Sequence, residues 1–158
     1  ALLQSYGKPA IGITWTGGIN NTGKGKRSIT LEKLLPVLKS VDATWVCLEY
    51  RDRDDEIQAF EAKHGIKIHH WKRATHSQDY DDTAGLVAEL DLVVSVTTAV
   101  VHLSGALGVP CYCLAPSKPR WFYGLEGDLP WYKSVSMFRQ EKEWPIQKIA
   151  DLIRLKFS

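Results

Sequence analysis

Short apolar runs rich in β-branched residues alternate along this chain with stretches in which apolar residues recur at the helical period. Ile11 to Trp15, Thr44 to Leu48, Ile66 to His70, Leu92 to Val96, Cys111 to Leu114 and Val135 to Phe138 read as six strands. Between them, Leu31, Leu34, Leu35 and Leu38 mark a helix that Thr30 is placed to cap. Asp54 to His64 opens acidic, as the helix dipole prefers, and Asp81 to Glu89 follows the third strand. Thr98 to Leu107 is closed by Gly108 and Pro110, and Ile146 to Leu155 is the last helix. This alternation predicts an α/β domain built on a doubly wound parallel sheet of about six strands, with helices on both faces. Residues 1–10 form a lead-in and 11–158 the domain.

Two segments do not fit the alternation. Gly17 to Ser28 has no apolar periodicity and is expected to be a loop, longer than the two to six residues usual between strand and helix, a length that points to function. Ala115 to Tyr132 is rich in proline and aromatic residues. With 158 residues, 44% of them hydrophobic, the chain can bury a core without disulfides or a structural metal. A formal charge of +2, evenly spread, gives no footprint for nucleic acid. The sequence has no apolar run of about 18 residues and no signal-like start, so the expectation is a cytoplasmic protein with no transmembrane segment. Cys47, Cys111 and Cys113 lie in apolar runs and read as small buried hydrophobes of a reducing compartment.

In open α/β sheets ligands bind beyond the carboxyl ends of the strands, which directs attention to the loops after strands one, two and four. After the first strand, Trp15-Thr16-Gly17-Gly18 with Lys24, Lys26 and Arg27 combines glycines, a hydroxyl and cations, a composition suited to phosphate or to a solvated basic loop. Gly18, Gly23 and Lys24 have the Walker A spacing, but Gly25 stands where Ser or Thr should hold magnesium, and the helical pattern begins only at Thr30. After the fourth strand, Thr97, Thr98 and Ala99 open a helix whose amides and dipole suit a pyrophosphate. His102, one turn on, is a ligand contact or a core histidine. After the second strand, Asp52 and Asp54 spell a D-x-D but read better as an acidic helix start. His69, His70, His76 and Asp79 form no convincing metal set, because His69 and His70 point to opposite strand faces. Arg120, Trp121 and Phe122, with Trp131 and Tyr132, could stack on a ring or pack on the sheet edge.

Taken in order, Ile13-Thr14-Trp15-Thr16-Gly17-Gly18, Arg27-Ser28, Leu48-Glu49-Tyr50, Asp79-Tyr80-Asp81-Asp82-Thr83-Ala84, the stretch from Asp91 to Pro110, Pro130-Trp131-Tyr132 and Phe138-Arg139-Gln140 resemble one family. It is the C-terminal part of bacterial glycosyltransferases related to the ADP-heptose lipopolysaccharide heptosyltransferases, often found behind tetratricopeptide repeats. The resemblance implies the C-terminal half of a GT-B fold, a Rossmann-like domain that binds a nucleotide-sugar. It places the donor diphosphate at Thr97, Thr98 and Ala99, with Thr16, Gly17, Lys26 or Arg27 opposite. Glu49, Tyr50, Glu56, Asp82 and His102 would approach the nucleoside or sugar. It also implies no metal and no cofactor, and a catalytic base in an N-terminal domain. Heptosyltransferases carry Asp-Thr-Gly where this chain has Thr97-Thr98-Ala99, so a donor contact through that carboxylate is absent. Two other classes of function compete: a non-catalytic nucleotide-binding or scaffold module, and a phosphotransferase using the Gly18 to Lys24 loop with magnesium.

Overall fold

Among the residues that the computed structural model describes, 7–76 and 79–158, six strands form one sheet. They are β1 (Ala10–Thr14), β2 (Thr44–Cys47), β3 (Ile68–His69), β4 (Leu92–Val96), β5 (Cys111–Ala115) and β6 (Val135–Arg139), in the order β3-β2-β1-β4-β5-β6. Every pairing is parallel. Residues 1–6 of the expected lead-in lie outside the described residues. The helices are α1 (Lys24–Arg27), α2 (Leu35–Leu38), α3 (Asp54–His64), α4 (Lys72–Thr75), α5 (Tyr80–Ala88), α6 (Ala99–Leu107) and α7 (Ile146–Phe157).

Alternation along the strands separates two cores, as a sheet covered on both faces requires. Ile11, Ile13, Trp45, Leu92 and Val94 pack with Leu38 of α2, Phe60 of α3 and Ile149 and Ile153 of α7. Val46, Val93, Cys111 and Cys113 face the other way, onto Val87 of α5, Val101 of α6 and Tyr123. All three cysteines are free and buried. Burial pushes the Cys47 and Cys111 thiols up to about 12, so neither is a thiolate at neutral pH. On the second face Gly105 of α6 lies so close to the Tyr132 ring that a Cβ there has no space. No helix among the described residues is long and apolar enough to cross a membrane.

Three expectations need correcting. The segment from Gly17 to Ser28 is not irregular throughout. It holds a 3-10 turn at Asn20–Thr22 and the single turn α1, entered through Gly23 at φ 76°. Ser28 fixes the segment, its Oγ donating to the Lys24 carbonyl at 2.6 Å and accepting from the Gly17 amide at 2.9 Å. Because α1 buries no residue, it leaves no periodic trace in the sequence. The helix expected after Thr30 is split into a 3-10 turn at Leu31–Leu34, capped by Thr30 Oγ1, and the turn α2. Pro36 falls in the first turn of α2, where its missing N–H is tolerated, and no longer helix forms across it. The third strand keeps two of its five expected residues: the Ile68 amide also bonds the Glu61 carboxylate of α3 at 2.7 Å, and α4 begins just after Trp71.

Arg139, at the end of β6, fixes the loop after β5. Its guanidinium donates to the carbonyls of Gly124, Tyr123 and Gly127 at 2.8 to 2.9 Å. Three charge-assisted bonds from one planar group hold this Pro- and Gly-rich segment against the sheet, with Arg120 at its start.

Candidate functional site

β1 and β4 are neighbours whose following helices cover opposite faces, so their carboxyl ends part into a crevice. A cavity of about 390 Å³ lies there. Its floor is a buried hydroxyl chain. Thr14 Oγ1 and Ser95 Oγ are 2.7 Å apart, and Ser95 Oγ lies 3.2 Å from Thr98 Oγ1. Ser95 gives its one proton to the Val96 carbonyl at 2.7 Å, so Thr14 and Thr98 donate to Ser95. Thr97 is fully buried beside them, and its hydroxyl has no hydrogen-bond partner among the described residues.

The α6 helix starts at this floor. Its N-cap, Thr98, makes no side-chain bond to the first turn, and the amides of Ala99 and Val100 have no partner among the described residues. An uncapped nine-residue helix presents unpaired N–H groups and the positive end of its dipole to whatever fills the cavity. Arg27 reaches the same point from the β1 loop, its Nη1 donating to the Thr97 carbonyl at 2.9 Å. Burial, and next the positive charge of Arg120, draw the Arg27 guanidinium below its ordinary pKa. It stays charged at any physiological pH.

Glu49 is the one carboxylate among the described lining residues, and it is already engaged. It accepts from the amides of Trp15 and Thr16 at 2.8 and 2.7 Å, which ties the end of β2 to the end of β1. Arg53 lies 3.8 Å from it and donates to Thr16 Oγ1 at 2.7 Å. With that lone pair taken, the Thr16 proton remains available to an acceptor in the cavity. Burial pushes the Glu49 carboxyl above its usual range, against the lowering effect of the two amides and Arg53.

The cavity has two flanks. On one, Leu48 and Tyr50 come from the loop after β2, Thr75 from α4, and Tyr80 and Thr83 from α5. On the other, His102 and Val100 of α6 face Arg120, Phe122 and Tyr123. His102 Nε2 and the Tyr123 hydroxyl share a hydrogen bond at 3.2 Å, and the rings of Phe122, Tyr123 and Tyr132 stand 5.5 to 5.8 Å from the imidazole. Burial lowers the His102 pKa, so the ring is neutral at pH 7. The whole can bind an anionic group at the α6 end and planar or apolar groups along either flank; among the described lining residues there is no unengaged carboxylate for proton abstraction.

Thr16, Arg27, Glu49, Tyr50, Thr97, Thr98, Ala99 and His102 are brought together around this cavity. Gly17, Lys26, Glu56 and Asp82 are not in its lining. Gly17 leaves no Cβ because the Cβ and backbone of Arg27 occupy that space, so its role is to seat Arg27. Glu56 accepts from the Trp15 indole at 3.0 Å and pairs with Arg53 at 3.8 Å, and Asp82 lies exposed in the first turn of α5. Sequence reading missed Thr14, Thr75, Tyr80 and Thr83 as lining residues, because only the strand order brings them to one crevice, and of the two readings of Arg120 the structure favours the one that takes it to the cavity. Gly23 and Lys24 of the near-Walker loop do open a helical turn, but neither lines the cavity.

Among the described residues, Asp52, Asp54 and His70 have carboxylate and imidazole atoms within 4.8 Å of one another. The Lys72 ammonium already bridges the two carboxylates at 2.6 and 2.5 Å, and His70 Nδ1 lies 3.2 Å from Asp54. His69 turns away and stacks on Trp71.

No protein-family model matches the chain. Protein FlbA of Caulobacter vibrioides is 30% identical over 143 residues, which is 90% of this chain and 24% of that protein. Among solved structures, Escherichia coli ADP-heptose lipopolysaccharide heptosyltransferase II is similar with a TM-score of 0.64 at 16% identity, over 94% of this chain and 46% of that one. E. coli heptosyltransferase WaaC with ADP gives 0.57 at 15% identity, over 94% and 43%, and WaaC with ADP-2-deoxy-2-fluoro heptose gives 0.56 at 17%, over 94% and 42%. The chain thus spans about a quarter of the curated relative and under half of each solved structure. At these identities the shared property is the fold: a six-stranded, Rossmann-like parallel sheet of the kind the heptosyltransferases contain.

Proposed function

We propose that this chain is the nucleotide-sugar-binding domain of a glycosyltransferase, the C-terminal half of a GT-B architecture. The observation that carries the reading is the convergence, at the switch point of the sheet, of the uncapped α6 amides, the orphaned Thr97 hydroxyl and Arg27. In this reading the diphosphate sits against Thr98, Ala99 and Arg27, and the nucleoside and sugar extend along the two flanks. The helix dipole and guanidinium supply the positive field that a leaving diphosphate needs, so no metal is required. Likeness in fold to heptosyltransferases, one of them solved with ADP, supports the reading.

Among the described residues the lining offers no unengaged carboxylate and a neutral, hydrogen-bonded His102, so in this reading the general base for the acceptor hydroxyl comes from a second domain. Exposed Tyr50, Tyr80 and Trp121, on or beside the cavity rim, suit such a domain closing over the donor. Tetratricopeptide repeats and a cytoplasmic location belong to the same proposal. A transferred heptose or hexose fits it, with the base of the donor open.

Thermal unfolding in the presence of ADP-, UDP-, GDP- and CDP-sugars, without added metal, tests this. One nucleotide class is expected to stabilise the chain by about 2.7 kcal/mol at a hundredfold excess over Kd, from RT ln(1 + [L]/Kd). A panel without any shift at millimolar ligand would instead favour the non-catalytic scaffold.

A further inference from the structure

Arg120 is a lining residue whose side chain has no structural partner among the described residues. Its side chain lines the cavity on the flank opposite α4 and α5, yet it makes no hydrogen bond or ion pair among the described residues. Exposed arginines commonly lie along carboxylates; this one lines a cavity in which the one carboxylate among the described lining residues is already held by Trp15, Thr16 and Arg53. Arg27 lines the same cavity. Two guanidiniums lining one cavity give it a positive field that favours an anionic ligand there.

The position of Arg120 is built by its surroundings. It precedes the 3-10 turn Trp121–Tyr123, with its own carbonyl accepting from the Tyr123 amide at 2.9 Å. Arg139 clamps that turn from below through the carbonyls of Tyr123, Gly124 and Gly127, and Tyr123 is tied to α6 through His102. The loop is therefore fixed at both ends of the turn, which sets where the Arg120 side chain leaves the backbone beside the cavity.

We propose that Arg27 and Arg120 form a two-guanidinium clamp that selects a ligand with a dianionic, pyrophosphate-like group, Arg120 acting as a specificity-determining residue. The proposal deepens the reading of this cavity as a nucleotide-sugar site and rests on it for the nature of the anion. Each guanidinium offers a planar fork to phosphate oxygens, so two of them favour a diphosphate over a single phosphate.

Calorimetric titration of the chain with inorganic pyrophosphate and with orthophosphate tests the clamp directly. Wild type is expected to bind pyrophosphate at least about tenfold more tightly than orthophosphate, and Arg120→Gln to weaken pyrophosphate about tenfold or more with the preference reduced. Lys118→Gln, an exposed cation of the same loop outside the lining, controls for loop charge and is expected to stay within about twofold of wild type. Pyrophosphate affinity unchanged in Arg120→Gln, an equal loss in Lys118→Gln, or no pyrophosphate binding by wild type each overturns the clamp. The two readings fail separately. A nucleotide-sugar shift that survives Arg120→Gln intact keeps the function and removes the clamp, whereas Arg120-dependent pyrophosphate binding with a flat nucleotide-sugar panel does the reverse.

Discussion

Thr98→Asp is expected to weaken nucleotide-diphosphate binding by at least a hundredfold while leaving the fold as stable as wild type or slightly more so. The two effects have opposite signs for one reason. Thr98 is the N-cap of α6 and makes no side-chain bond to the first turn. Aspartate is a better N-cap, accepts a first-turn N–H and places negative charge at the positive end of the dipole, which contributes about 0.5–1 kcal/mol. The same carboxylate would occupy the position proposed for the diphosphate and consume its amides. Like charges about 4 Å apart cost about 4 kcal/mol at an effective dielectric near 20, close to three orders of magnitude in affinity. Titration of both proteins with the preferred nucleotide diphosphate, beside their denaturation midpoints, separates the effects. An unchanged Kd removes the α6 N-terminus as the anion site. A large loss accompanied by unfolding would show damage to the domain instead.

Glu49 governs the architecture of the site, and its removal should be the most costly single change to the fold. Glu49→Ala leaves the buried amides of Trp15 and Thr16 without an acceptor and Arg53 with Glu56 as its remaining carboxylate. Breaking one partner of a buried charged network costs about 3–5 kcal/mol, a large part of the 5–15 kcal/mol typical of a domain. Glu49→Gln keeps one oxygen for the two amides and should cost much less. The pH dependence distinguishes them further. Burial raises the carboxyl above its ordinary value of 4.5, so the native state binds this proton more tightly than the unfolded chain. The stability that the protonated form contributes is complete below 4.5 and is lost as pH rises through the higher native pKa. Wild-type stability measured relative to Glu49→Gln should therefore fall across that window and level off above it. A relative stability that rises with pH would mean that the two amides and Arg53 outweigh burial.

Much of the fold was legible because periodicity survives wherever an element buries one face. α3, β4, α6 and α7 fall within two residues of their expected bounds, since Phe60, Val94, Val101 and Ile153 report burial directly. The misreadings share a cause as well. α1 buries nothing, and β3 begins only at Ile68, whose amide donates to the Glu61 carboxylate, and neither event leaves a periodic signal. Within the site, Thr97 to Ala99 and the Gly17 loop stood out by residue type. Gly17, however, makes room for Arg27, and Glu56 serves Trp15 and Arg53, so composition located the loops without assigning the contacts. Residue type made Arg120 a candidate but left it between ring stacking and edge packing, because its place depends on the β5–β6 connection and on Arg139, more than a dozen residues away. The D-x-D of Asp52 and Asp54 shows the converse: a suggestive motif whose carboxylates hold an internal ammonium, Lys72.

The central claim is that one anion site lies where β1 and β4 part, and amide NMR tests it most directly. On titration of the isotope-labelled chain with ADP and with the other nucleoside diphosphates, the largest shift changes are expected at Thr16, Gly18 and Thr97 to Val100. Changes should be small at Glu32 and Lys63, which pair on the far side of α3, away from the cavity. Saturable shifts confined to the carboxyl ends of β1 and β4 would agree with the account. Saturable shifts centred on the Gly23 to Lys26 turn, with Thr97 to Val100 unmoved, would contradict it and return the near-Walker loop to consideration.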